Sequence, residues 1–395
     1  MMREEIVQHD VAVVGGGPAG LAACALLVSR GIRPAHVTGV KREMRDPRTA
    51  ALMQGTLPIL DTLGLWPGLL KAQSAPLWTL RLIDETRHLI RAPSITFDAR
   101  ELGDEPFGWN IPNATLADAL REIIPDDAVA TYEGLSVTWT EPRDTLIKLH
   151  LSDGRILRVR AVIAADGGES RCRGSAGIKT YGADYRQQAI ATSFGHSLPH
   201  HDCSTERHRE NGPLTTVPLP GNRSSLVWMD RPDEIKRLMA LDDRTFAAEL
   251  ERYVGGELGA VSDIGPRRAF PARTMIARQF AAKRTFLVGE AGHVLPPIGA
   301  QGLNLGLRDA KAAAWLIADA LAYGEDPGGA EPLTAYDQAR QRDVVPRGIG
   351  IDLMNRSLLS RLLPAQAGRV LAVGALAQIA PLRRAVMRGG LGIGH

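Results

Sequence analysis

The chain has 395 residues, more than one hydrophobic core comfortably serves, so two intertwined domains are expected. Hydrophobic residues at 44% and charged residues at 23% describe an ordinary globular protein; three cysteines (Cys24, Cys172, Cys203) with no CxxC point to a reducing compartment without a disulfide framework. The formal charge of +3 is spread along the chain rather than clustered, which argues against nucleic-acid binding.

The chain reaches a strand-like run almost at once, without the apolar core of a signal peptide. Residues 10–15 (DVAVVG) read as a buried strand, 19–30 as a small-residue helix closed by Gly31, and 32–38 as a second strand. Residues 56–66 and 114–124 carry the spacing of amphipathic helices. From about 129 to 165 the pattern becomes a hairpin feeding a buried strand, and 186–230 alternates strands with turns. A helix is expected at 243–254, a buried strand at "TFLVG", a long helix from about Leu303 to Leu321, and a helical tail from 333. The best candidate for a membrane span, Val370 to Leu382, has 13 residues where roughly 20 are needed, so the expected location is the cytoplasm, with contact at a membrane surface left open.

Three motifs carry chemistry. Gly15-x-Gly17-x-x-Gly20 follows a strand and opens a helix. Its glycines permit the turn, the approach of a pyrophosphate and close helix packing, while the helix start offers amides and a positive dipole end. The acid expected to bond an adenosine ribose at the end of the second strand is missing: Thr38 and Gly39 stand there, so either Glu43 substitutes from the loop or the ribose is held less tightly. The second motif, Asp166-Gly167, ends a buried strand, where an acid and glycines suit a ligand lying across a sheet or an ordinary Asp-Gly turn. In the third, a strand delivers Gly289-Glu290, Pro296-Pro297 stiffens the loop, and Gly299, Ala300, Gln301 and Gly302 lead into a helix through Leu303 and Asn304. Amides at such a start can stabilise negative charge on a ligand.

In this order the motifs resemble those of class A flavoprotein monooxygenases, the para-hydroxybenzoate-hydroxylase-like superfamily. "DPRTAALMQGTLPILDTLGLW", "FGWNIPNATLADAL", "GPLTTVPLPGNRSSLVW" and "PPIGAQGLNLGLRDA" look most like the ubiquinone-biosynthesis hydroxylases of polyprenylated phenols. The resemblance implies an α/β fold: a Rossmann-like FAD-binding domain of glutathione-reductase type, an inserted and mainly antiparallel β-sheet substrate domain, and a C-terminal helical region. The implied division is 1–75, 106–182 and 276–332 for the FAD-binding domain, 76–105 and 183–275 for the substrate domain, and 333–395 for the helices. It further implies that Arg48 lies near the flavin phosphates, that Asn113 contacts FAD, and that residues 299–302 face the flavin pyrimidine ring. Glu290 replaces the usual Asp, Ala300 a common Gly and Pro296 a frequent His.

The implied chemistry is the hydroxylation of an activated aromatic ring by O₂ through a C4a-hydroperoxide on FAD, with NAD(P)H as a transient reductant that needs no Rossmann domain of its own. No side chain is singled out as catalytic. The implied partners are a small aromatic substrate carrying a polyprenyl tail and O₂; a homodimer or a quinone-synthesis complex is compatible. Arg383, Arg384 and Arg388 beside an apolar face read equally as a peripheral membrane contact or as the charged outer face of a helix packed on the FAD-binding domain. Two alternatives stay open: a flavin hydroxylase of a small soluble phenol, and a flavin-free prenyl-binding escort protein. His196, His200, His201, Cys203 and His208 match no zinc spacing and read as a solvated loop, so no metal is expected. His293 reads as a packing or capping residue with proton shuttling as the competing role, and Trp109 and Trp228 as core or cavity residues.

Overall fold

A computed structural model describes residues 6–39, 46–86, 91–360 and 362–391. Glu43 lies outside the described residues. The chain runs β1 (Ile6–Val14), α1 (Pro18–Ser29), β2 (Ala35–Thr38), β3 (Thr49–Met53), α2 (Leu57–Thr62), α3 (Gly68–Lys71), β4 (Ala75–Leu77), β5 (Thr79–Asp84), β6 (Ile95–Asp98), β7 (Gly108–Pro112) and α4 (Asn113–Glu122). It continues through β8 (Ala130–Glu133), β9 (Val137–Pro142), β10 (Ile147–Leu151), β11 (Ile156–Ala164), α5 (Arg171–Ser175), β12 (Thr180–His196), β13 (Cys203–Arg209), β14 (Gly212–Leu219), β15 (Arg223–Asp230), α6 (Pro232–Ala240) and α7 (Asp243–Leu258). The last part holds β16 (Val261–Ser262), β17 (Arg268–Ala277), β18 (Ala281–Ala282), β19 (Thr285–Leu287), β20 (His293–Val294), α8 (Gln301–Ala322), α9 (Ala330–Leu359), α10 (Leu363–Gln378) and α11 (Ala380–Leu391).

The first sheet has parallel strands in the order β19-β11-β1-β2-β8, extended by β18 at one edge and by the β9–β10 hairpin on β11. Val11, Ala12 and Val13 of β1 are wholly buried, because the strand has covered faces on both sides; that is why it reads as an unbroken apolar run. The small residues of α1 let it press against this sheet and against α8, where Ala19 approaches Gly289 and Gly306.

The second sheet has the order β20-β17-β12-β15-β14-β13-β5-β6 and is antiparallel except for the β13–β5 pair. Helices α6 and α7 cover one face through Phe194, Leu226, Trp228, Phe246 and Leu250. The other face carries Phe270, which lies under the Arg48 guanidinium at 4.8 Å. A small sheet, β3-β7-β4, joins the two and packs on β14.

The helix expected over 56–66 ends at Thr62. Gly64 takes φ +70°, its N–H donates to the Asp61 carbonyl, and the Leu65 N–H reaches back to the Leu60 carbonyl, which closes the helix end. Helix α6 was not expected, although a proline in its first turn with Asp233 and Glu234 is a helix-start signal. The histidine-rich stretch is not a solvated loop. His196 ends β12 and is buried, His208 lies in β13, and no group of three or more metal-ligating side chains occurs among the described residues.

In α9 the residues Tyr336, Arg340, Val344 and Gly348 are buried at four-residue spacing. The Tyr336 hydroxyl donates to the Leu287 carbonyl at 2.6 Å, tying the helix to β19. Helices α10 and α11 meet at a bend of 101°, and among the described residues no single helix is long and apolar enough to cross a membrane.

Candidate functional site

The three motifs follow the C-terminal ends of β1, β11 and β19, which lie side by side in one parallel sheet. That edge is where open α/β sheets bind ligands. Contacts lock the motifs together. A Cβ built on Gly15, which has φ +127°, would lie 2.1 Å from the Ala165 carbonyl oxygen; one on Gly20 would lie 2.2 Å from the Gly15 carbonyl oxygen. A Cβ on Gly306 would meet Gly289 and Ala19 at 3.3 and 3.4 Å, so the first and third motifs also touch. Arg173 bridges the second and third: its guanidinium donates to the carbonyls of Gly168 at 2.8 Å and Ala291 at 2.9 Å.

Other glycines here face open space. A Cβ on Gly17, Gly167, Gly299 or Gly302 would find no atom within 4 Å. Neither α1 nor α8 has a side-chain cap, and Ala300 turns the chain into α8 with φ +53°. Two uncapped helix starts, bare backbone and open space fit an anionic, elongated dinucleotide.

Arg48 is the fixed cation of this edge. The Asp46 carboxylate holds its guanidinium at 2.8 Å and Glu290 meets it at 3.1 Å. Burial works against the charge on Arg48, but these two carboxylates keep it firmly protonated. Asp46 feels burial first, which raises its pKa, yet hydrogen bonds from Arg48 and Asn113 hold it below the usual carboxylate range. Asn113 donates Nδ2 to Asp46 at 3.1 Å, and its buried Oδ1 has no partner. The anchoring role of Asp46 was missed in the sequence; Asp-Pro-Arg is an Asx-turn signal, and Asp46 Oδ1 accepts the Arg48 N–H at 3.0 Å.

The Asp166 carboxylate turns to its own chain, accepting from Ser170 Oγ at 2.5 Å and the Cys172 N–H at 3.2 Å. Its open glycine is Gly167, with φ +87°. Asn304 is spent on the backbone as well: Nδ2 donates to the Ala51 and Ala300 carbonyls at 2.7 Å each, and Oδ1 accepts from the Met53 N–H at 2.9 Å. It clamps the start of α8 to β3.

Beneath the Gly289-Glu290 turn lies a buried charge cluster that the sequence did not reveal. The Asp309 carboxylate accepts from the Gly289 N–H at 2.9 Å, from His293 Nε2 at 2.7 Å and from Arg340 Nε at 2.6 Å. Burial alone would raise the Asp309 pKa; the Arg340 and His293 partners outweigh it and hold the carboxyl below the ordinary range. His293 thus packs under the loop, 2% exposed. Trp228 is core, and Trp109, on the same face of the small sheet as Leu52, meets Trp66 at 5.2 Å with the rings tilted by 60°.

The small sheet's inner face borders an apolar cluster of Ala51, Leu77, Ile95, Phe97, Phe107, Met387 and Leu391, against which Ala300 packs. A recess of about 300 Å³ lined by Gln54, Leu102, Arg388 and Leu391 opens at its margin. The Arg383 guanidinium, paired with Glu101 at 2.8 Å, pins α11 over this cluster.

A family model described as FAD binding domain matches residues 8–345. Ubiquinone hydroxylase UbiL of Rhodospirillum rubrum is 33% identical, over 97% of this chain and 89% of that protein. The 3-demethoxyubiquinol 3-hydroxylase of Escherichia coli is 28% identical, over 97% of this chain and 98% of that protein. Among solved structures, p-nitrophenol 4-monooxygenase PnpA from Pseudomonas putida shares the fold with a TM-score of 0.79 and 19% identity, over 98% of this chain and 99% of that one.

Proposed function

Since this chain belongs to the FAD-binding family of flavin-dependent monooxygenases, we propose that it hydroxylates the ring of a polyprenylated phenol in ubiquinone synthesis. The observation that carries the reading is the convergence of three glycine-rich turns on one sheet edge, with uncapped helix starts on both sides. The quinone branch is supported by relatives named as ubiquinone hydroxylases that align over nearly the whole chain.

In this reading Gly15, Gly17 and Gly20 seat the pyrophosphate at the start of α1, beside Gly167, with Asp166 shaping that turn. Arg48 would flank the phosphates, Asn113 would contact FAD, and Glu290 would accept hydrogen bonds from the ribityl hydroxyls as the usual Asp does. The amides of Gly299, Ala300, Gln301, Gly302 and Leu303 face the ring, and Asn304 holds their geometry. Bound FAD, reduced by NAD(P)H, supplies the activation of O₂. The chain's own part is positional. The start of α8 directs its positive dipole end at developing negative charge, and the apolar cluster keeps water from the reacting ring. The aromatic substrate occupies the inner face of the small sheet, and its tail leaves along α10 and α11.

These helices also support peripheral membrane contact. Leu371, Leu382 and Val386 are exposed beside the exposed Arg384 and Arg388, an arrangement suited to an anionic lipid surface. Arg383 is not part of that face; it belongs to Glu101.

The test is the visible spectrum of the purified protein with FAD, then NAD(P)H oxidation with a short-chain prenylphenol and with unsubstituted phenol. Flavin bands and turnover favouring the prenylphenol are expected. Turnover of the small phenol alone would replace the quinone reading with the soluble-phenol alternative.

A further inference from the structure

Asn110 is the one residue in β7 whose polar side chain points to the apolar side of the small sheet. Its ladder partner in β3 is Ala51 and in β4 is Ala75. On the same face the next pairs join Gly108 to Met53 and to Leu77. Ala51, Met53 and Leu77 all pack into the cluster that Ala300 borders and that Met387 and Leu391 cover. The opposite face carries Leu52 and Ile111 into the main core, so the orientation is fixed by the two-residue period of the strands.

In this setting Asn110 is 0% exposed, and neither Oδ1 nor Nδ2 has a hydrogen-bond partner. A carboxamide left wholly unpaired in an apolar space is destabilising in a way that leucine would not be. Such a group calls for a partner that arrives later. It offers one acceptor and a donor side by side, which match a hydroxyl that both donates and accepts.

We propose that Asn110 is the substrate-orienting residue of this enzyme, hydrogen-bonding the phenolic hydroxyl of the ring to be hydroxylated. The proposal rests on the reading that the substrate is a prenylated phenol. It assigns the rim beside residues 299–302 to the ring and the α10–α11 side to the tail. Asn110 then decides which ring edge faces the cofactor loop, because one fixed hydroxyl and one fixed tail leave the ring a single register.

The test uses the FAD-loaded protein, 2-geranylphenol and its methyl ether, 2-geranylanisole, which lacks the hydroxyl proton. Calorimetric titration of the parent protein is expected to favour the phenol about tenfold. In Asn110→Leu that preference disappears, while the melting temperature of the ligand-free protein stays level or rises by about 2 °C, because an unpaired amide has been removed. Asn110→Ala, which is smaller than the native side chain, gives the same loss of preference should leucine not fit. A preference that survives both variants overturns the proposal. Equal binding of the two ligands by the parent overturns it too and leaves the prenylphenol reading standing. Binding of neither overturns both.

Discussion

The Arg48 guanidinium lies 3.1 Å from the Glu290 carboxylate, across 242 residues of sequence, and ties the segment before β3 to the turn after β19. The pair is half exposed, at 42% and 53% for the two side chains, so it contributes only about 0–1 kcal/mol to folding. Its use is positional. The extra methylene of Glu290 carries a carboxylate out to Arg48.

Glu290→Ala is therefore expected to leave the melting temperature within about 1 °C of the parent and to weaken FAD about tenfold in a fluorescence titration. Glu290→Asp should keep FAD within about threefold, since the hydrogen-bond acceptor remains. An alanine variant that binds FAD as tightly as the parent would remove Glu290 from the site.

The glycines of the first motif should separate into two kinds. Gly15→Ala places a Cβ 2.1 Å from the Ala165 carbonyl oxygen at φ +127° and is expected to cost about 3 kcal/mol or more in urea unfolding. Gly17→Ala meets nothing within 4 Å and has extended backbone, so the ligand-free protein should unfold like the parent while FAD affinity falls at least about tenfold. Unchanged FAD affinity in Gly17→Ala would contradict the pyrophosphate assignment.

Asp309 predicts the acid limb of stability. Its folded pKa lies below the ordinary value of 3.8, so its stabilising contribution is present above about pH 4 and is lost as pH falls through the folded value. Asp309→Asn leaves the buried Arg340 with Asp343 as its one carboxylate partner, at 2.9 Å, and should cost about 1–3 kcal/mol near neutrality, with a flatter loss of stability below about pH 4. Chemical denaturation from pH 3 to 7 measures both; parallel curves for parent and variant would show that another group governs the acid limb.

The C-terminal arginines divide in the same manner. Arg383→Ala breaks the 2.8 Å pair with Glu101 and should speed proteolysis of α11. Replacing Arg384 and Arg388 with Glu should leave that protection intact and abolish co-sedimentation with phosphatidylglycerol vesicles. Co-sedimentation that persists in the double variant would sink the membrane proposal.

Each motif was legible because its backbone requirement is local. Gly15, Gly17 and Gly20 announce a tight turn into a helix, and the apolar runs before them announce buried parallel strands. The start of α8 was expected near Leu303 and falls at Gln301, because Ala300 accepts a left-handed turn and Asn304 braces it from inside. Asp46 was passed over although Asp-Pro-Arg marks its turn, whereas Asp309 escaped notice because a carboxylate on a helix has no sequence mark of the distant cation it will meet. His196 and His208 were misread for a related reason: buried polar strands lack the apolar alternation that marks a strand.

The amino-acid sequence by itself determined the class of fold and the three glycine-rich turns suited to a dinucleotide, because glycine spacing, strand period and helix starts are short-range properties of the chain; FAD in particular came from the resemblance of those motifs to a known family. Only the tertiary structure decided that Arg48 meets Glu290, that Asp309 lies beneath the third turn, and that Asn110 stands unpaired on the apolar side of β7. Those relations depend on which strands lie beside one another and on which face each residue falls, and both are set by the packing of distant segments.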